Sequence, residues 1–364
     1  MKIKQVTAHL EELAPLAHAE DFDNVGLLVG DAHAEVRGIL ITLDTLENVV
    51  DEAIASDCNL IVSFHPIIFG GLKKLTGSTY VERTVIKAIQ NNVAIYSMHT
   101  ALDNVREGVN AKICEVLGIK NPKILIPKKG SIEKLVTYVP TADAAALRSA
   151  LFAAGAGNIG KYSHCSFSTE GTGSFKPGEK ARPVKGEIGT THYGKEEQIN
   201  VIYSRVHRSD IVKALFENHP YEEVAYEILG LKNIDQDLGM GMVGELEAAM
   251  GETEFLRQVK RKMHVSVIRH SPLLGQKVNR VAVLGGSGAF AIDAAKTSGA
   301  QILITADIKY HEFYKAEGQI VIADIGHYET EQFTKNLLTD YLRKKIPNFA
   351  IRLAESKTNP ITYL

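Results

Sequence analysis

Two distant stretches of the chain repeat one order of short apolar runs and amphipathic segments. Residues 50–63 align without gaps on residues 292–305, with identities at Asp51/Asp293, Ala53/Ala295 and Ser56/Ser298. In each copy an apolar run comes first (Arg37 to Thr42; Arg280 to Leu284). A helical period follows, and a second apolar run (Leu60 to Val62; Ile302 to Ile304) ends on a polar residue. Runs this short suit buried strands, and their alternation with helices predicts parallel strand pairs in a layered α/β fold. A third run extends the match, Val93 to Met98 against Ile320 to Ile325. The pattern predicts two pseudo-repeated α/β lobes, residues 1–130 and 232–364, forming one discontinuous domain.

The intervening residues, 131–231, have another texture. They read as a strand (Lys134 to Val139), a helix (Ala142 to Ala154), a Gly-rich hairpin region (Gly155 to Gly194), a strand (Gln198 to Tyr203), a helix (Ser209 to Asn218) and a strand (Glu222 to Ile228). That order predicts an inserted ferredoxin-like βαββαβ α+β domain. Lys128-Lys129-Gly130 and Gly230-Leu231-Lys232-Asn233 read as its linkers. After the Gly326 turn, Phe333, Leu337, Leu338 and Leu342 mark the apolar face of a final helix from Tyr328 to Lys345.

Composition narrows the class. With 364 residues, 45% hydrophobic and 23% charged, the chain can fill two or three cores. A formal net charge of -2 supplies no general attraction to polyanions, so nucleic acid is not an expected partner. Three scattered cysteines build no disulfide framework and no thiolate metal site, which fits a reducing cytoplasm. Glu11 and Glu12 interrupt the first segment before a signal-peptide core forms, and no apolar run reaches spanning length, so no membrane association is expected.

Candidate chemistry sits just after the apolar runs, where sites form in open α/β sheets. His65, before Pro66, follows the Leu60 run; His99 and Asp103 follow the Val93 run. His327 and Glu331 stand at i and i+4 on the first turn of the last helix, which places imidazole and carboxylate on one face. Two facing lobes would bring His65, Asp103, His327 and Glu331 into one cleft able to hold a divalent cation. Without cysteine ligands, zinc, manganese, iron and magnesium all fit. Taken singly, each residue has a plain structural reading: a turn histidine, a helix-capping Asp103, a surface Glu/His pair. Gly285, Gly286, Ser287 and Gly288 read as a strand-to-helix turn whose amides can receive a phosphate, or as a tight turn alone. Asp307 and Lys309 face the same cleft or form a surface loop. The Gly-rich stretches 160–167 and 171–175 read as a twisted hairpin with an aromatic seam, or as a second ligand site.

Taken in order, Glu20-Asp21-Phe22-Asp23-Asn24-Val25-Gly26, Ser63-Phe64-His65-Pro66, His99-Thr100-Ala101-Leu102-Asp103, Gly285-Gly286-Ser287-Gly288, Thr305-Ala306-Asp307-Ile308-Lys309 and Gly326-His327-Tyr328-Glu329-Thr330-Glu331 resemble the NIF-three-like family, the GTP cyclohydrolase 1 type 2 homologues. The resemblance spans nearly the whole chain. It implies a two-lobed α/β fold, a dinuclear metal site between the lobes, a toroidal homohexamer and an inserted domain similar to PII and CutA. By position, His65, Asp103 and Glu331 would hold one metal, and His327 and Glu331 with a further histidine the other. The family usually has two adjacent histidines after this strand, whereas Phe64 stands in the first of those places. The expected occupancy is therefore one or two cations per chain, with the His327 position the weaker. The implied activity is a metal-dependent hydrolase acting on a small molecule, a nucleotide or phosphorylated heterocycle. Asp103 or Glu331 would orient or deprotonate the attacking water, and residues 285–288 would receive the phosphate. The alternative is a non-catalytic hexameric metal-binding protein whose insertion senses a small molecule.

Overall fold

In the computed structural model, which describes residues 1–364, every residue of the strands Ile39–Thr42, Leu60–Ser63 and Ala94–Ser97 is buried. That double-sided burial explains why these runs lack polar alternation. The three pair in parallel, Ile39 beside Leu60 and Leu60 beside Ala94. Alternate side chains enter different cores: Leu40, Ile61 and Ile95 pack with Val50 and Val85 of the helices Glu47–Ala55 and Tyr80–Gln90. Ile41, Val62 and Tyr96 enter the largest core. Gly26–Val29 adds an antiparallel edge and Ile351–Leu353 a parallel one, completing five strands.

A six-stranded sheet follows the same plan. Lys277–Ser287, Ile302–Ala306 and Val321–Asp324 are parallel neighbours, with antiparallel strands outside them. Val283, Ile304 and Ala323 enter the largest core from this sheet, so one hydrophobic core serves both. Five of these six parallel strands end in a polar residue, Ile302–Ala306 being the exception, and the candidate site residues lie just beyond the strand ends.

Lys120–Pro127 and Gly239–Gly251 pair antiparallel, with Pro127 opposite Gly239. The chain divides there into two compact units, residues 1–127 with 236–364, and residues 128–235. The second unit runs strand Ile132–Pro140, helix Ala144–Ala153, strands Ser166–Phe175 and His192–Ser204, helix Arg208–Asn218 and strand Tyr226–Gly230. Its antiparallel sheet has the order 166–175, 192–204, 132–140, 226–230. Leu147, Leu151, Ile211 and Leu215 of the helices pack on Leu135, Val139, Ile199 and Val201 of the strands.

Three local features depart from the sequence reading. The last strand of the second unit begins at Tyr226 rather than Glu222, because Tyr221 and Glu222 are drawn aside by bonds to Glu196 and to the Arg182 amide. The final helix is two pieces, His327–Glu331 and Thr334–Lys345. There Thr330 Oγ1 donates to the His327 carbonyl and Gln332 Nε2 to the Glu329 carbonyl, competing with the helix's own amides. Gly285, Gly286 and Ser287 extend the strand Lys277–Ser287 rather than forming a turn. No helix is long and apolar enough to cross a membrane.

Candidate metal centre

His65 is aimed by its backbone. Its amide donates to the Leu43 carbonyl (2.9 Å) and its carbonyl accepts from Ser63 Oγ (2.6 Å). The Phe64 carbonyl beside it accepts from the His99 amide (2.9 Å) and Ser97 Oγ (2.8 Å). So held, His65 places Nδ1 2.7 Å from Asp44 Oδ1 and Nε2 3.1 Å from Glu331 Oε2. His327 repeats the arrangement from the other sheet: Nδ1 lies 2.6 Å from Asp307 Oδ2 and Nε2 3.2 Å from the same Glu331 Oε2. An aspartate behind Nδ1 fixes the proton there and turns the Nε2 lone pair inward, as in carboxylate-backed histidine ligands. The ligand atoms of His65, His327 and Glu331 all lie within 4.8 Å of one another.

The carboxylates favour positive charge in the cleft, carried either by protons on the imidazoles or by a cation that displaces those protons. Burial pushes Glu331 up, yet the two imidazoles outweigh it and hold the carboxylate at about 2. Burial disfavours charge on both histidines, but bonds to Asp44 and Glu331 lift His65 to about 10, and bonds to Glu331 and Asp307 lift His327 to about 9. Asp103 is pushed well above the carboxylate range, first by burial and then by the Glu331 charge. Its Oδ1 is buried without a hydrogen-bond partner, whereas Glu331 Oε2 is met by the Nε2 atoms of both imidazoles. Two buried carboxylates, Glu331 and Asp103 with its unpartnered Oδ1, beside two inward-turned imidazoles form a set of hard and borderline donors suited to a divalent cation.

The grouping differs from the expected one. His65 and His327 share one Glu331 oxygen, and Asp103 stands outside the converging triad while lining the same cleft, about 240 Å³ in volume, with His327 and Glu331. Phe64 is wholly buried, its ring 4.9 Å from that of His65 and 5.6 Å from that of His99. His99 does not join the triad. Its Nδ1 meets Asp23 Oδ1 at 2.7 Å, and Asp23 also accepts from the Thr100 amide and hydroxyl.

The Gly285–Gly288 stretch acts otherwise than as an anion cradle. The amides of Gly285, Gly286 and Gly288 donate to Asn110 Oδ1, Thr330 Oγ1 and the Ala306 carbonyl, and the Ser287 hydroxyl donates to Asp307. What this stretch supplies is room: at Gly286, with φ of +69°, a Cβ would come within 2.5 Å of Glu331 Oε1. Asp307 is the partner of His327 Nδ1 and is itself exposed. Asp44 escaped the sequence reading, although it carries the available signal, a carboxylate two residues beyond a buried strand, and Asp23 figured there only within the Glu20–Gly26 motif, without a role.

Fold and site together define an α/β protein of three sheets, with a candidate divalent-cation centre at the ends of the parallel strands of two of them. The chain belongs to the Duf34/NIF3 (NGG1p interacting factor 3) family, whose family model matches residues 1–360. It is 35% identical over 366 residues to the GTP cyclohydrolase 1 type 2 homolog of Bacillus subtilis, covering 99% of this chain and 98% of that one. To the protein of the same name from Halalkalibacterium halodurans it is 36% identical over 360 residues, covering 97% and 96%. Among solved structures, a Bacillus cereus protein related to NIF3 superposes with a TM-score of 0.85 at 36% identity, covering 100% of this chain and 99% of that one.

Proposed function

We propose that the chain is a divalent-cation-dependent hydrolase acting on a nucleotide or similar phosphorylated heterocycle. The observation that carries this reading is the pair of aspartate-backed imidazoles converging on one oxygen of buried Glu331, with unpartnered Asp103 on the wall of the same cleft. The relatives' name, GTP cyclohydrolase 1 type 2 homolog, supplies the substrate class. His65, His327 and Glu331 would hold the cation, with zinc, manganese, iron and magnesium all candidates. Bound there, a divalent cation supplies Lewis acidity toward a ring or phosphoryl oxygen.

The chain's own groups do the rest. Asp44 and Asp307 keep the Nδ1 protons in place and stop the rings from turning. Asp103 Oδ1 accepts a hydrogen bond from water or substrate and orients it in the cleft. Phe22 and Phe290 line the cleft while 67% and 58% exposed, offering flat apolar surface to a heterocycle. We read one tightly held cation per chain, since three ligand atoms converge and Phe64 brings none beside Asp103.

The same proposal takes the unit 128–235 as ferredoxin-like, from its element order and antiparallel sheet. It takes the two parallel strand trios as related copies, and the assembly as a homohexamer, which light scattering checks. The functional test is turnover of a nucleotide panel led by GTP with added manganese, zinc, iron or magnesium, reading formate release. Activity lost in Glu331→Gln and Asp103→Asn is expected; no turnover with any nucleotide and cation contradicts the reading and favours a metal-binding regulatory protein.

A further inference from the structure

The second unit contains a cavity of its own, about 340 Å³, built wholly from residues between 138 and 225. That volume suits a small organic molecule. Its walls include the rings of Tyr138, Phe175 and Tyr221, with Phe175 and Tyr221 edge to face at 5.7 Å. Residues 176–184 contribute a further wall, and the Arg182 amide donates to Glu222 Oε1 at 2.7 Å, tying that segment to the opposite side.

The charge of the lining is one-sided. Glu196, Glu222 and Glu223 face a single lysine, Lys176. The ion pairs made by Arg148, Arg208 and Lys213 go instead to Glu197, Glu133 and Glu217. Glu196 is held in place on purpose-built backbone: Tyr221 Oη donates to its Oε1 at 2.9 Å, and its carboxylate lies across Gly173. A Cβ on Gly173 would come within 2.0 Å of Glu196 Oε2, so glycine there lets the carboxylate keep this position. Ring faces carry negative quadrupole potential, which attracts cations and repels anions.

We propose that this cavity binds a small organic cation, an amine or quaternary ammonium with a flat apolar body, seated against the Tyr138, Phe175 and Tyr221 rings with its charge toward Glu196. The site does not depend on the metal centre. Isothermal titration of the full-length protein with benzylamine and benzyltrimethylammonium, against benzyl alcohol and benzoate as neutral and anionic analogues, tests it. Both cations are expected to bind saturably, roughly tenfold more tightly than benzyl alcohol, with benzoate not binding. Glu196→Gln, which keeps the acceptor for Tyr221, should weaken cation binding about tenfold, while Glu331→Gln leaves it unchanged. Equal affinity for the alcohol, no saturable binding of either cation, or full binding by Glu196→Gln overturns the proposal. The wild-type comparison of charged and neutral probes decides the matter even where a variant fails to fold.

Discussion

Phe64 and His65 are adjacent in the chain and have opposite fates. His65 turns Nε2 toward Glu331, whereas Phe64 is sealed between two imidazole rings and the core. Phe64→His should raise the bound cation count measured by elemental analysis, at a stability cost of about 1–3 kcal/mol for burying a polar ring. An unchanged count would separate Phe64 from the number of cations held. Asp23 gives a pH prediction: burial raises its carboxyl, but bonds from His99 and Thr100 outweigh this and hold it at about 2. A depressed folded value contributes stability that is present above the unfolded value and lost as pH falls through the folded one. Asp23→Asn should therefore flatten the loss of stability between pH of about 4 and about 2, worth about 1–2 kcal/mol after solvent screening, as read by urea unfolding. His65, His327 and Glu331, which converge in the structure, could be singled out in the sequence because they follow buried strands or share a helix face. Their grouping could not, because whether His65 meets Asp103 or His327 depends on how the strand ends face one another. Asp44 and the role of Asp23 were hidden for the same reason.

At the scale of elements, the parallel strands were legible because burial on both faces leaves uninterrupted apolar runs such as Leu60–Ser63 and Ile302–Ala306. The break after Glu331 was not, since Thr330 and Gln332 carry ordinary helical pattern and act through side-chain bonds to carbonyls. The Gly-rich stretch misled for a related reason: its glycines answer to Glu331 packed against them, a contact from a segment more than forty residues away. Gly286→Ala imposes both a left-handed backbone and the contact with Glu331 Oε1. It should cost about 1–3 kcal/mol in thermal unfolding and weaken cation binding by calorimetry at least roughly tenfold. Wild-type affinity in this variant would deny Gly286 its role.

For the whole molecule, the second unit emerges where a hairpin turn would otherwise be. Pro127 and Gly239 already sit opposite each other on antiparallel strands of the first unit. Replacing residues 128–235 with a short Gly/Ser linker should leave a folded first unit that binds its cation within about threefold of the full chain, by circular dichroism and calorimetry. Loss of folding would show that the first unit needs the second. The sequence places an insertion at residues 131–231 from its order of strands and helices, and the second compact unit spans 128–235, whereas the cavity of that unit was not legible. Its carboxylates and rings come from separate segments: Phe175 and Glu196 from two paired strands, Tyr138 from a third strand, and Tyr221, Glu222 and Glu223 from the stretch before the last strand.

The central claim is a single cation held by His65, His327 and Glu331. Equilibrium dialysis against manganese or zinc, followed by elemental analysis of wild type and Glu331→Gln, tests it most directly. The account predicts about one cation per chain in the wild type and nearly none in a Glu331→Gln variant that still folds. Two tightly held cations in the wild type, or undiminished loading of Glu331→Gln, would contradict it.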